Sequence, residues 1–220
     1  MMLNIKENIE EIVKTLPEGV RLIAVSKTKP VEYIEEAYAG GQRAFGENRP
    51  QEMAAKYRQL PKDIEWHMIG QLQEKNVKYI ASFVKLIHSV DSLKLLQKID
   101  REALKNERMI DCLLEFHIAE EETKSGIHEE ELADFLEAMA DYPHLRIQGL
   151  MTIGPHVEAP EEIRPVFAEL RKLYEREKQR NLPHLDFRFL SMGMSYDYPI
   201  AVEEGANIVR VGSSIFGARN

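Results

Sequence analysis

Eight short apolar runs, separated by polar segments with helical spacing, constrain this 220-residue chain more than any other feature. Residues 20–26, 43–45, 64–69, 84–90, 110–118, 145–152, 185–190 and 208–211 read as buried strands. Helical signals fall at 30–38, 49–59, 74–82, about 93–104, 129–140, around 163–174 and up to 204, with Asp91 or Ser92 as the cap of the fourth. Strict alternation of this kind means a parallel sheet covered by helices, and eight units favour closure over an open, doubly wound sheet. The predicted fold is therefore one (β/α)8 TIM barrel over residues 1–220, short for its class. An extra amphipathic helix built on Leu3, Ile5, Ile9, Ile12, Val13 and Leu16 precedes it and stops at Pro17-Glu18-Gly19.

Composition narrows the function classes. With 44% hydrophobic residues the chain can bury a substantial core, and no Gly/Pro/Ser-rich linker divides it. A single cysteine, Cys112, rules out an intrachain disulfide framework, and the absence of a leader-like start makes the cytoplasm the expected location. No apolar run approaches the roughly 20 residues of a membrane span. A formal net charge of −8 argues against a nucleic-acid partner, whose phosphates are bound by Lys and Arg.

The unusual residues follow the C-terminal ends of successive strands, where a barrel builds its site: Lys27, Glu47-Asn48, His67 with Gly70, Ser89 with Asp91, Lys124 with Gly126, Met151-Thr152, Ser191 to Ser195, and Gly212-Ser213. Two Gly/Ser turns, around Gly193-Met194-Ser195 and Gly212-Ser213, end the last two strands. Glycine lets backbone N–H groups approach an anion and hydroxyls add donors, so the two turns form a candidate phosphate cup. Neither matches a P-loop or a dinucleotide fingerprint, which points to a smaller phosphorylated ligand. A lysine where the first strand breaks into a loop, opposite such a cup, makes the second end of a pyridoxal phosphate site. Lys27 is favoured over Lys29, which stands directly before Pro30.

Each residue also has a plainer reading. Lys27 could be a solvated strand-end lysine. Arg210 could neutralise Glu47 or Asp197, or lie beside a ring whose phosphate rests on Gly212 and Ser213, where its permanent charge opposes protonation of the ring nitrogen. Asn48 could donate to a ring oxygen or cap the next helix. His67 could face a cofactor or be a satisfied core group. Neither the histidines nor Cys112 shows metal-ligand spacing.

Taken together, Ala24-Val25-Ser26-Lys27-Thr28-Lys29, Phe45-Gly46-Glu47-Asn48 with Gln51-Glu52, Trp66-His67-Met68-Ile69-Gly70-Gln71-Leu72-Gln73, Ser89-Val90-Asp91-Ser92, Gly149-Leu150-Met151-Thr152, Ser191-Met192-Gly193-Met194-Ser195 and Val209-Arg210-Val211-Gly212 resemble the pyridoxal phosphate homeostasis proteins, also called YggS-type. The resemblance implies a barrel like the N-terminal domain of alanine racemase, the type III fold of pyridoxal phosphate proteins. It implies the cofactor bound covalently to Lys27, phosphate contacts from Met194-Ser195 and Gly212-Ser213, and Arg210 near the ring nitrogen. The sequence departs at Arg49-Pro50, where many relatives have Tyr-Val, and at Phe116-His117, where Val-Asn is common.

The expected activity is that of a non-enzymatic holder of pyridoxal phosphate. A racemase-like enzyme is the alternative, and a cofactor-free Schiff-base aldolase a third reading. The chain ends directly after the last barrel strand. A second acid/base for inversion would come from an additional domain, and with it the usual dimer surface, so a monomer is expected. Transient contact with enzymes that use the cofactor is compatible with this reading.

Overall fold

A computed structural model describes residues 4–118, 126–155, 157–180, 182 and 185–217. The strands are β1 (Arg21–Val25), β2 (Ala44–Glu47), β3 (Glu65–Met68), β4 (Leu86–Val90), β5 (Ile110–Phe116), β6 (Leu145–Thr152), β7 (Leu185–Ser191) and β8 (Ile208–Val211). They pair in parallel and in sequence order, and β8 returns to β1 through Arg21↔Ile208 to Ala24↔Val211, closing the barrel. The helices are α1 (Ile5–Thr15), α2 (Val31–Ala39), α3 (Pro50–Gln59), α4 (Leu93–Lys105), α5 (Leu132–Ala138), α6 (Arg164–Lys178), α7 (Tyr198–Glu203) and α8 (Ser213–Phe216).

Two expected helices differ. The segment after β3 is a 3-10 helix, Glu74–Tyr79, and the one after β5 is divided into 3-10, α and 3-10 pieces between Glu129 and Asp141. Helical spacing of apolar residues does not separate the two helix types, since one tight turn buries Val77 as an α-turn would. Ser92, not Asp91, caps α4: its hydroxyl accepts from the Leu95 amide at 3.3 Å.

Alternation along each strand builds two cores. Ile23, Ala44, Leu86, Leu113, Met151 and Ile208 pack with Phe189 inside the barrel, while Leu22, Ala24, Phe45, Trp66, Ile87, Cys112 and Val209 face the helices. Between β6 and β7 the register shifts at Gly149, whose φ is +145°. A β-carbon there would lie 1.8 Å from the Phe189 carbonyl oxygen, so only glycine permits this pairing. Outside, α1 buries Ile5, Ile9 and Ile12, each contributing roughly 1.5–3 kcal/mol. Its Ile5 amide donates to Glu36 on α2 and its Asn8 side chain to the Ile215 carbonyl on α8, tying the first strand's helix to the last's across the closing seam.

Candidate functional site

The C-terminal ends of β1, β2, β3, β6, β7 and β8 surround a cavity of about 280 Å3. Lys27, Lys29, Asn48, Met194, Ser195, Arg210, Gly212 and Ser213 line it, with Val25, Ile69, Ile153, Tyr196 and Gly217. Seven of the eight residues expected at a cofactor site are thus brought together. His67 is not among them.

Local chain geometry explains each placement. Past β1 the chain turns tightly: the Lys29 amide donates to the Ser26 carbonyl at 3.0 Å and Thr28 takes a left-handed φ of +64°. Both lysines therefore border the cavity. Asn48 is not a helix cap; Arg49 occupies that position of α3 and makes no side-chain cap bond. Asn48 reaches the cavity because Gly70 at the end of β3 leaves room, since a β-carbon on Gly70 would come within 2.7 Å of the Asn48 backbone. The two Gly/Ser turns are joined, the Gly212 amide donating to Ser195 Oγ at 3.1 Å. The Met194 amide is already engaged, donating to Asp197 Oδ1 at 2.5 Å, so the donors left facing an anion come from Ser195 and Ser213.

Arg210 is 4% exposed and pairs with neither Glu47 nor Asp197. Its Nη1 donates to Ser191 Oγ at 2.5 Å and its Nη2 to the Thr152 carbonyl at 2.9 Å. Burial lowers its pKa to about 10, which leaves it a cation at neutral pH. Behind Ser191 runs a buried polar chain: His88 Nδ1 lies 3.0 Å from Ser191 Oγ, and His88 Nε2 lies 2.9 Å from His67 Nδ1. Desolvation brings His67 down to about 3 and His88 well below its ordinary range, so both rings are neutral. His67 Nε2 finds no partner among the described residues. His67 thus lies two hydrogen bonds behind the residue that touches Arg210. Glu115, on the inner face of β5, is pushed up to about 7 by burial, then by Asp91.

Sequence reasoning missed two groups that support these residues: His88, behind Ser191 and Arg210, and Lys56 behind Lys27. Only the Glu52–Lys56 spacing of four, the separation of facing helix neighbours, signalled any of them. Lys124 and Ser125 lie outside the described residues. Among the described residues no cluster of metal-ligating side chains occurs, and no helix is long and apolar enough to cross a membrane.

The donor set is selective. Lys27, Lys29 and Arg210 bring three cations to the cavity, and no carboxylate lines it among the described residues, although the chain carries a net charge of −8. Two hydroxyl-bearing turns and a strand-end lysine lining one cavity suit a phosphorylated aldehyde such as pyridoxal phosphate.

Comparison with known proteins agrees with this geometry. Residues 2–220 match the family described as "Alanine racemase, N-terminal domain". The chain is 45% identical to the pyridoxal phosphate homeostasis protein of Aquifex aeolicus, over 90% of this chain and 87% of that one. It is 41% identical to the protein of the same name from Synechocystis, over 95% and 96% of the two chains. PipY of Synechococcus elongatus, solved with pyridoxal phosphate bound, superposes with a TM-score of 0.89 at 38% identity, covering 97% of this chain and all of that one. Alanine racemase from Bartonella henselae shares the fold alone, with a TM-score of 0.73 at 14% identity over 58% of its length.

Proposed function

The chain belongs to the pyridoxal phosphate homeostasis protein family, and from that premise we propose that it binds pyridoxal phosphate, holds it as a Schiff base on Lys27 and takes part in maintaining the cofactor's supply. The observation that carries this reading is the cavity lining, in which the strand-end Lys27, the buried Arg210 and the two serine turns meet at one mouth of the barrel on an acidic chain. When bound, the cofactor supplies an aldehyde that condenses reversibly with an amine. The protein's residues do the rest. Ser195 and Ser213 offer hydroxyl donors to the phosphate, and Asn48 faces the same cavity from β2.

Arg210 sets the chemical character of the site. A buried guanidinium has only N–H donors and does not release its proton at neutral pH, so a ring nitrogen held beside it would stay unprotonated. An unprotonated ring would draw electrons weakly, which would favour holding the cofactor over carbanion chemistry on an amino acid. The names of the relatives, which describe homeostasis rather than a reaction, support the same reading.

Borohydride reduction of the protein after incubation with pyridoxal phosphate, followed by peptide mapping, tests the proposal. A phosphopyridoxyl adduct is expected on Lys27, lost in Lys27→Ala and kept in Lys29→Ala. An adduct confined to Lys29, or none, overturns it.

A further inference from the structure

Beneath the turn that carries Lys27 lies a buried ion cluster whose residues are not among those lining the cavity. Lys56 on α3 and Glu47 on β2 are 5% and 0% exposed. Lys56 Nζ donates to Glu47 Oε1 at 2.8 Å, to Glu52 Oε1 at 2.7 Å and to the Ser26 carbonyl at 2.8 Å. Ser26 Oγ donates to the same Glu47 oxygen at 2.6 Å. On the other side of Lys27, Glu52 Oε1 accepts from the Thr28 amide at 2.7 Å. The cluster therefore grips the residue before Lys27 at two atoms and the residue after it at one.

Two features indicate that this grip serves placement. Thr28 is β-branched and stands at φ +64°, a conformation such a residue avoids unless its surroundings impose it. The Glu52 bond to its amide and the Lys29 amide's bond to the Ser26 carbonyl both brace this turn. A lysine and a glutamate buried together are also a poor source of stability, because desolvation offsets their attraction, and their best-attested use is to specify one geometry. The bonds end on the backbone flanking Lys27, the point at which a reacting amine must be aimed.

We propose that Lys56 and Glu52, with Glu47, act as a positioning clamp on the Lys27 turn and set the rate of Schiff-base formation without touching the ligand. This rests on the reading of Lys27 given above. In that step the neutral amine nitrogen of Lys27 bonds to the aldehyde carbon, a C=N bond replaces C=O, and the carbonyl oxygen leaves as water with the two amine protons. A misaimed nitrogen slows this step but leaves phosphate binding by the serine turns intact.

The experiment separates the two. Rapid mixing with pyridoxal phosphate reads imine formation by absorbance, and equilibrium dialysis with pyridoxine phosphate, which has no aldehyde, reads the remainder of the site. Glu52→Ala and Lys56→Met are expected to slow imine formation about ten- to hundredfold, the range for a misplaced reacting group, with pyridoxine phosphate affinity unchanged. Glu52→Gln keeps an oxygen for the Thr28 amide and is expected to recover most of the rate. Equal rates in wild type and Glu52→Ala overturn the clamp. A parallel fall in rate and in pyridoxine phosphate affinity also overturns it, since that is the mark of a merely structural role. If Lys56→Met does not fold, Glu52→Ala, at the partly exposed edge of the cluster, carries the test. Absence of a borohydride-trapped adduct on Lys27 in wild type is the separate failure of the reading beneath it.

Discussion

The two ends of the barrel interior treat charge in opposite ways. At the N-terminal end, Arg21 of β1 pairs with Glu65 of β3, and Arg146 of β6 pairs with Asp111 of β5 at 2.8 Å. Both of these cations are matched by a carboxylate from another strand. At the C-terminal end, Arg210 is bound only to a hydroxyl and a carbonyl, and with Lys27 and Lys29 it lines a cavity free of carboxylates among the described residues. Matched charges close an end and contribute modestly to stability, whereas a buried guanidinium held only by neutral groups at the edge of a cavity favours an anion there. Only the second end is built to bind.

Moving charge at either end is the most forceful way to break that comparison. Arg210→Met is expected to weaken retention of pyridoxal phosphate about tenfold or more, since hydrogen bonds to charged groups are worth about 1.5–3 kcal/mol. Arg21→Met at the closed end is expected to leave retention unchanged. Equilibrium dialysis of both variants decides it, and equal losses would erase the distinction between the ends.

A pH series sharpens it. His67 is held near 3 against an ordinary value of 6.5, so below 6.5 the unfolded chain takes up a proton that the folded chain refuses. The stability from this neutral ring is fully present above pH 6.5 and is lost as pH falls toward 3, by an amount on the order of a few kcal/mol. Glu115 runs the other way: raised from 4.5 to about 7, it contributes stability below 4.5 that is lost as pH rises through 7. Urea unfolding across pH 3 to 7 is expected to show a shallower acid limb in His67→Gln. An unchanged limb would place the acid sensitivity elsewhere than in the buried histidine chain.

The smallest effect is expected at the closed end. Glu65→Gln removes a partly exposed ion pair, with side chains 37% and 32% accessible, and should cost less than about 1 kcal/mol in urea unfolding. A markedly larger loss would show the lower pairs to be structural keystones rather than neutral closures.

Much of this architecture was legible in the chain. Leu145–Thr152 and Ile208–Val211 coincide with the strands read from their apolar runs, and the order of eight units was enough to predict closure. Gathering strand-end residues onto one face then followed from the fold, which is how seven of the eight residues expected at the site come to line one cavity. Chain reading erred where the local signal is ambiguous, as in the 3-10 segment at Glu74–Tyr79, and where an outcome depends on strands far apart. His67 reads as a site residue because it is a polar group near a strand end. Its place behind Ser191 depends on His88 and Ser191, 103 residues apart, meeting across the barrel.

By itself the sequence determined the periodicities, and through them the strands, their parallel order and the position of Lys27 and the serine turns at one barrel face. Side-chain period is a local property, set by backbone geometry over a few residues. Which polar groups are paired, which are left facing the cavity and which grip the Lys27 turn was decided only by the tertiary structure. Lys56 reaches the Ser26 carbonyl 30 residues away because α3 packs over β1 and β2, a contact fixed by register and helix docking rather than by spacing along the chain.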